Sequence, residues 1–208
     1  MSQRKLFKFV VIGDCSVGKS AILKVYRGEE FTNDHTATIG VDFYTHQSKY
    51  DNLTVTLQLW DTAGEEKYQS VSTTYFRGAH AVFIVYDVSS KQSFDNVQKW
   101  IKQAKSAADS ANLILIGNKA DLEKQVPTEE AQSYADSNQM LFLEVSAKNN
   151  EGIKAAFEKM IAILCEGSQV QDAKKGDFQI QSASPIQKVE VKADSEVDSA
   201  ATKKQGCC

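Results

Sequence analysis

The sequence has little of three features that would assign it to other classes of protein: charge of one sign, long apolar runs and paired cysteines. Its formal net charge is −3 over 208 residues, which gives no sign of a nucleic-acid-binding surface. The N-terminal residues lead into an apolar run of only about seven residues, too short for a signal peptide or a membrane span. We therefore expect synthesis in the cytosol. A hydrophobic content of 42% is typical of a globular domain with a core.

The four cysteines do not form the pattern of a disulfide framework. Cys15 lies inside a glycine-containing loop and Cys165 lies late in a helical pattern, so both are expected to stay reduced. Cys207 and Cys208 are adjacent at the C-terminus. A metal site with two cysteines would lack ligands, so this pair favours lipid attachment.

The segment Gly13–Ser20 fits the pattern GxxxxGK[ST], in which consecutive backbone N–H groups wrap phosphates at a helix N-terminus. An apolar run precedes it and a helix-compatible run follows it. The Lys19 ammonium can reach the outer phosphates, and the Ser20 hydroxyl can coordinate Mg²⁺. The residues expected to supply the N–H groups are Ser16, Val17, Gly18, Lys19, Ser20 and Ala21.

Apolar runs alternate with helical patterns along the chain. Strands are predicted over 6–12, 41–49, 54–60, 81–87, 113–117 and 140–145, and helices over 18–26, 93–108, 152–164 and from 127. This order predicts an α/β fold: a six-stranded, mostly parallel sheet with one antiparallel hairpin strand and helices on both faces. The motifs that follow strands then converge on one rim of the sheet.

The composition changes at about residue 167, where periodic patterning ends and Gln, Ser, Ala, Asp and Lys dominate. We predict a short extension over 1–5, one domain over 6–166 and a disordered tail over 167–208. Lysines and acids balance in this tail, so it has no polybasic patch beyond the pair Lys203-Lys204.

Two motifs predict a guanine-binding site. In NKAD at 118–121, the Asp121 carboxylate can accept hydrogen bonds from the N1–H and 2-amino groups of guanine, whereas adenine presents neither donor. The methylene stem of Lys119 can lie over the base. SAK at 146–148 offers a backbone N–H and a second lysine stem. The predicted base-binding residues are Asn118, Lys119, Asp121, Ser146, Ala147 and Lys148.

These motifs (GDCSVGKS, TIG, WDTAG, NKAD and SAK) resemble those of the Ras superfamily of small GTPases over nearly all of 6–166. The segments 39–43, 75–79 and 85–87, the TLQLWDTAG run and the Cys-Cys ending resemble its Rab branch. The resemblance implies a P-loop G domain that binds GTP or GDP with Mg²⁺ and hydrolyses GTP weakly without an activating protein.

The resemblance also implies a monomeric GTP/GDP switch that recruits effectors in vesicle trafficking. Its implied location is the cytoplasmic face of an endomembrane or the plasma membrane, with cycling through the cytosol. The implied partners are effectors, an exchange factor, an activating protein, a GDP dissociation inhibitor and a prenylation escort protein, but no nucleic acid. Cys207 and Cys208 would carry the lipids.

Several residue roles are implied in the same way. The Thr38 hydroxyl would meet Mg²⁺, and its N–H the γ-phosphate, only in the GTP state; the Gly64 N–H would sense that phosphate, and Phe31 would pack across guanine. Residues about 31–43 and 61–78 would be the two switches. The metal ligands would be Ser20, Thr38 and Asp61, since Asp61 follows a strand and fits the metal-side carboxylate. Lys19, Thr38 and Glu65 would serve hydrolysis.

Phe43, Trp60 and Tyr75, with Ile39, are implied as the exposed surface through which effectors bind. Alternation along the hairpin places Trp60 on its half-solvated face. The alternative is that these aromatic side chains belong to the core.

The chain departs from the family pattern at Glu65, where the family usually has the glutamine that orients the attacking water. An ionised Glu65 can only accept hydrogen bonds and brings negative charge near the γ-phosphate. This predicts slow intrinsic hydrolysis. Alternatively, Glu65 points to solvent and an activating protein supplies both an arginine and the missing glutamine.

Two other functions stay open on the residues alone. A nucleotide kinase or ATPase could use the same phosphate loop, although the guanine motifs and the lack of an obvious acceptor-binding lid oppose it. An effector scaffold held in the GTP state with little turnover is the alternative that Glu65 favours.

Overall fold

The computed structural model describes residues 4–33, 38, 40–64 and 74–172, with side chains through 167. These residues belong to the first of two units of the chain, 1–174; the second unit, 175–208, lies outside them. The predictions for Ile39, Glu65, Cys207 and Cys208, and for the tail beyond 172, therefore concern residues outside the described ranges.

The described residues form six strands, five α-helices and a short 3-10 helix, Thr74–Phe76. In chain order they are β1 (Arg4–Gly13), α1 (Lys19–Tyr26), β2 (Val41–Tyr50), β3 (Leu53–Thr62), β4 (Ala81–Asp87), α2 (Lys91–Asp95), α3 (Val97–Ala107), β5 (Asn112–Asn118), α4 (Thr128–Ser137), β6 (Leu141–Glu144) and α5 (Ile153–Asp172).

The strands form one sheet in the order β2-β3-β1-β4-β5-β6. Strands β2 and β3 pair antiparallel, and all other neighbours pair parallel. The predicted fold class is therefore confirmed. Every residue of β4 is buried, as expected for a central parallel strand that is covered on both faces.

Two apolar clusters, one on each face of the sheet, make up the core. On the face covered by α1 and α5, Phe157 is fully buried. Its ring stacks on Tyr26 at 3.7 Å and on Phe83 at 4.6 Å between centroids. On the other face, α2, α3 and α4 pack through residues such as Phe94 and Trp100. This packing holds the strand ends that carry the site.

Two predicted helix boundaries are wrong. The helix predicted over 93–108 is two helices, α2 and α3, which meet at Asn96. The Ser90 hydroxyl caps α2 by accepting a hydrogen bond from the Ser93 N–H. The final helix was predicted to end at Leu164 but continues to Asp172, past the predicted domain end at 166. Extending an existing helix adds one hydrogen bond per residue without a new nucleus, so it does not need an apolar stripe.

Within the described part of the chain, no helix combines the length and the apolar character needed to cross a bilayer.

Candidate nucleotide-binding site

The phosphate loop joins the end of β1 to the start of α1 and needs glycine at two positions. Gly13 and Gly18 have φ angles of +144° and +95°, in the region that side chains rarely adopt. A Cβ atom on Gly18 would also collide with the side-chain amide of Asn118. The loop can therefore close against Asn118 at the end of β5 only with glycine at position 18.

Lys19 is 6% exposed, and its ammonium group donates to two carbonyl oxygens of the same loop. The distances are 2.9 Å to Gly13 and 2.6 Å to Asp14. Burial lowers the pKa of Lys19 to about 8, although the negative charge of Asp61 opposes this shift. The ammonium group thus lies against the inner side of the phosphate loop, close to the place where the loop would hold a phosphate.

Ser20, Thr38 and Asp61 bring oxygen atoms together beside the loop. The Ser20 and Thr38 hydroxyl oxygens are 2.8 Å apart. Asp61 is 1% exposed, and among the described residues no donor bonds to its Oδ1 atom. Burial raises the pKa of Asp61, opposed by the Ser20 hydrogen bond and the Lys19 charge. One carboxylate with two hydroxyls fits Mg²⁺, which takes few protein oxygens and completes its shell with phosphates and water.

Asn118, at the end of β5, joins the phosphate loop to the loop after β6. Its Nδ2 donates to the carbonyl oxygen of Val17 at 2.8 Å. Its Oδ1 accepts from the Ala147 N–H at 3.2 Å. Asn118 is therefore a structural bridge within the predicted site, and its 1% exposure leaves it little direct access to solvent.

The predicted base-reading carboxylate is held in place by its neighbours. Asp121 Oδ1 accepts from the Ser146 hydroxyl at 2.6 Å, and Lys148 Nζ lies 3.7 Å from Oδ2. Lys119 has a φ of +64°, and its ammonium contacts Asp87 Oδ2 at 2.6 Å.

A cavity of about 360 Å³ connects these groups. It is lined by most of the predicted nucleotide-binding residues: Ser16, Gly18, Lys19, Ser20, Ala21, Phe31, Thr38, Gly64, Asn118, Lys119, Asp121, Ala147 and Lys148. Val17, Asp61 and Ser146 are buried beside it. The lining also includes Cys15 and Leu122, for which no contact with the nucleotide is predicted; Leu122 directly follows the NKAD motif.

Two acidic residues at the site were missed as site residues. Asp14 accepts hydrogen bonds from Asn96 and Trp100, and Asp87 holds Lys119. Asp14 lies inside the loop motif itself, so its position was a signal, but its partners are about 80 residues away.

The comparison with protein families gives a match to the Ras family over residues 8–166. The chain belongs to the Ras family of small GTPases. It is similar to Ras-related protein Rab-11C of Dictyostelium discoideum, with 48% identity over 159 residues, 75% of this chain and 71% of the relative. It is also similar to RABA1b of Arabidopsis thaliana, with 38% identity over 98% of this chain and 94% of the relative, and to GTP-binding protein YPTM2 of Zea mays, with 41% identity over 81% and 84%.

The identification as a Rab-type small GTPase is thus confirmed, and GTP hydrolysis is its family activity. Members of the Ras superfamily bind GTP and GDP, which agrees with the guanine and phosphate motifs around one cavity.

The three aromatic residues predicted to form an exposed effector-binding surface differ in exposure. Phe43 is 48% exposed and packs edge-on against Trp60 at 5.2 Å. Trp60 is partly buried, with Lys8 Nζ 4.0 Å from the centre of its ring. Tyr75 is only 7% exposed, because its ring packs with Phe76 in the core. The expectation that Tyr75 is exposed is therefore wrong, and its role with effectors stays a prediction.

Proposed function

We propose that this GTPase is a GTP/GDP switch that recruits effectors to membranes in vesicle trafficking. The observation that carries the proposal is the convergence of base-reading and phosphate-binding groups on one cavity that Thr38 and Gly64 also line. These last two residues belong to two separate segments beside the phosphate loop. Both segments can respond to the presence of a γ-phosphate, which is the property that a switch requires.

In this function Ser20, Thr38 and Asp61 would hold Mg²⁺, which would supply positive charge to offset the negative charge of the phosphates. Lys19 would stabilise the negative charge of the outer phosphates. The Ser20–Thr38 contact of 2.8 Å supports a role for Thr38 in joining its segment to the metal side of the site. Gly64 would sense the γ-phosphate through its N–H.

Binding of GTP and ATP to the full chain tests the nucleotide part of the proposal. We expect tight binding of GTP and GDP, and weaker binding of ATP by roughly a hundredfold or more, because adenine presents no N–H donors to the Asp121 carboxylate as guanine does. Comparable affinity for ATP would favour the kinase or ATPase alternative instead.

We further propose that Glu65 slows intrinsic hydrolysis, since a carboxylate cannot donate to the γ-phosphate and repels it. Single-turnover hydrolysis of GTP by the unmodified chain and by Glu65→Gln measures this directly. Faster turnover in the variant supports the proposal, and equal intrinsic rates would refute it. Turnover that stays negligible with cellular activating proteins would favour the GTP-bound scaffold.

Membrane attachment is proposed to use lipids on Cys207 and Cys208, because one lipid chain alone anchors reversibly and the tail has no polybasic patch. A chain tagged at its N-terminus reports the organelle and leaves these cysteines free. The double variant Cys207→Ser, Cys208→Ser should be cytosolic. Membrane association of that variant would count against the lipid anchor without affecting nucleotide binding.

A further inference from the structure

Asp14, the second residue of the phosphate loop, is tied to helix α3 through both of its carboxylate oxygens. Oδ1 accepts from the indole N–H of Trp100 at 2.8 Å. Oδ2 accepts from Nδ2 of Asn96 at 2.7 Å. Trp100 is 3% exposed, and a buried indole N–H needs an acceptor. Asn96 lies where α2 ends and α3 begins, so one donor lies at the start of α3 and the other within its first turns.

The backbone of Asp14 takes part in the site while its side chain does not. Its carbonyl oxygen accepts from Lys19 Nζ at 2.6 Å, the shorter of the two hydrogen bonds of that ammonium. The orientation of this peptide group, together with the Gly13 carbonyl oxygen, therefore helps to fix where the Lys19 ammonium lies.

The same peptide group lies against Gly64. A Cβ atom on Gly64 would lie 2.5 Å from the carbonyl oxygen of Asp14, closer than real Cβ contacts allow. A shift of the Asp14 backbone would therefore change the space available to Gly64 as well as the partners of Lys19.

Because the Asp14 carboxylate is negatively charged, its direction relative to a bound phosphate matters. A carboxylate in a phosphate-binding loop repels an anionic ligand unless it is directed away and hydrogen-bonded. Trp100 and Asn96 do both, because they hold the carboxylate against α3.

We propose that Asp14 is a positioning residue that fastens the phosphate loop to helix α3 and so sets the place of the Lys19 ammonium relative to the outer phosphates. This inference rests on the proposed nucleotide binding. It makes α3 a part of the phosphate site although α3 contributes no residue to the cavity lining.

The test compares the full chain with Asp14→Ala and Asn96→Ala, loaded with a fluorescent GDP in excess Mg²⁺. We expect both variants to release GDP faster, by about tenfold for Asp14→Ala, because hydrogen bonds to a charged group are lost. Asp136→Ala is the matched control: this carboxylate also accepts from a side-chain amide, Gln132 Nε2 at 2.8 Å, but lies on α4. Its release rate should equal that of the unmodified chain.

Two readouts separate positioning from other effects. GMP lacks the outer phosphates, so its dissociation constant should change much less than that of GDP. Equal weakening of both ligands would indicate a general structural role and overturn the inference. Slower GDP release in Asp14→Ala would show that the carboxylate acts only by repulsion, and unchanged release would show that it does not act at all.

If Asp14→Ala does not fold, Asn96→Ala decides the question, because its side chain is only partly buried and leaves Asp14 and Trp100 in place. A failure of the unmodified chain to bind GDP would overturn the proposed function and this inference with it. Normal binding by the unmodified chain, with variants indistinguishable from it, overturns the inference alone.

Discussion

Asn118 donates a hydrogen bond from Nδ2 to the carbonyl oxygen of Val17 at 2.8 Å, and this contact joins the base-binding motif to the phosphate loop. The two residues are 101 positions apart in the chain. Gly18 lies so close to the same amide that a Cβ atom could not be accommodated. The two halves of the nucleotide site are thus held in one arrangement by a side chain that is almost completely buried.

Replacement of Asn118 by alanine should lower the free energy of unfolding by about 2 kcal/mol or more, because the Val17 carbonyl and the Ala147 N–H lose their partner in a buried place. Urea unfolding measures the change. Asn138→Ala is the control: its Nδ2 also donates to a backbone carbonyl, that of Tyr134 at 2.9 Å, but at a partly buried position. An equal loss in both variants would contradict the role of Asn118 as a bridge.

Removal of Mg²⁺ with a chelator should speed nucleotide release from the unmodified chain. Asp61→Asn should release nucleotide faster even in Mg²⁺, by roughly tenfold, and respond much less to the chelator, because an amide is a weaker ligand than a carboxylate. Stopped-flow fluorescence of bound GDP measures both rates. An undiminished response of Asp61→Asn to chelation would show that Asp61 does not serve the metal.

Asp87→Asn should weaken GDP binding by several-fold, since the Asp87 carboxylate contacts the Lys119 ammonium at 2.6 Å and would thereby hold the Lys119 stem along the predicted base site. Burial alone would raise the pKa of Asp87, but hydrogen bonds from Lys119 and Ser89 lower it overall, so the group is charged at neutral pH.

Glu144→Gln is a matched control for Asp87→Asn. The Lys124–Glu144 pair has the same 2.6 Å separation and similar exposure of both side chains, but Lys124 and Glu144 do not line the cavity. Equal effects of the two substitutions on the dissociation constant of GDP would contradict a base-positioning role for Asp87.

Acidification should destabilise the domain partly through His80. The Nδ1 atom of His80 accepts from the Lys8 N–H at 3.0 Å, which requires the unprotonated ring nitrogen. Burial and the Lys8 charge lower the pKa of His80 from 6.5. As pH falls below about 6.5, the unfolded chain binds the proton first, so the free energy of unfolding decreases.

Urea unfolding at about pH 7.5 and about pH 5.5 tests this effect. The decrease in unfolding free energy should be smaller in His80→Gln, which cannot titrate. Part of the decrease should remain, because burial and the Arg27 charge also lower the pKa of His46. Identical decreases in His80→Gln and the unmodified chain would refute the contribution of His80.

The fold was predictable because its signals are local. The run AVFIVYD at 81–87 forms a strand with the predicted bounds, and every residue in it is buried. The glycines of the phosphate loop and the alternation along the hairpin are likewise properties of short segments. The predictions were wrong where tertiary contacts decide. A new helix, α3, begins after Asn96, whose side chain binds Asp14, and Tyr75 is buried in the core.

The sequence by itself determined the order of the strands along the chain, the phosphate loop and the motif predicted to bind guanine, since each depends on residue types at fixed spacing. Only the tertiary structure decided which distant side chains hold these motifs in place. Trp100 and Asn96 reach Asp14, and Asp87 reaches Lys119, because parallel strands bring distant segments to one rim. Such contacts depend on packing geometry and leave no periodic trace along the chain.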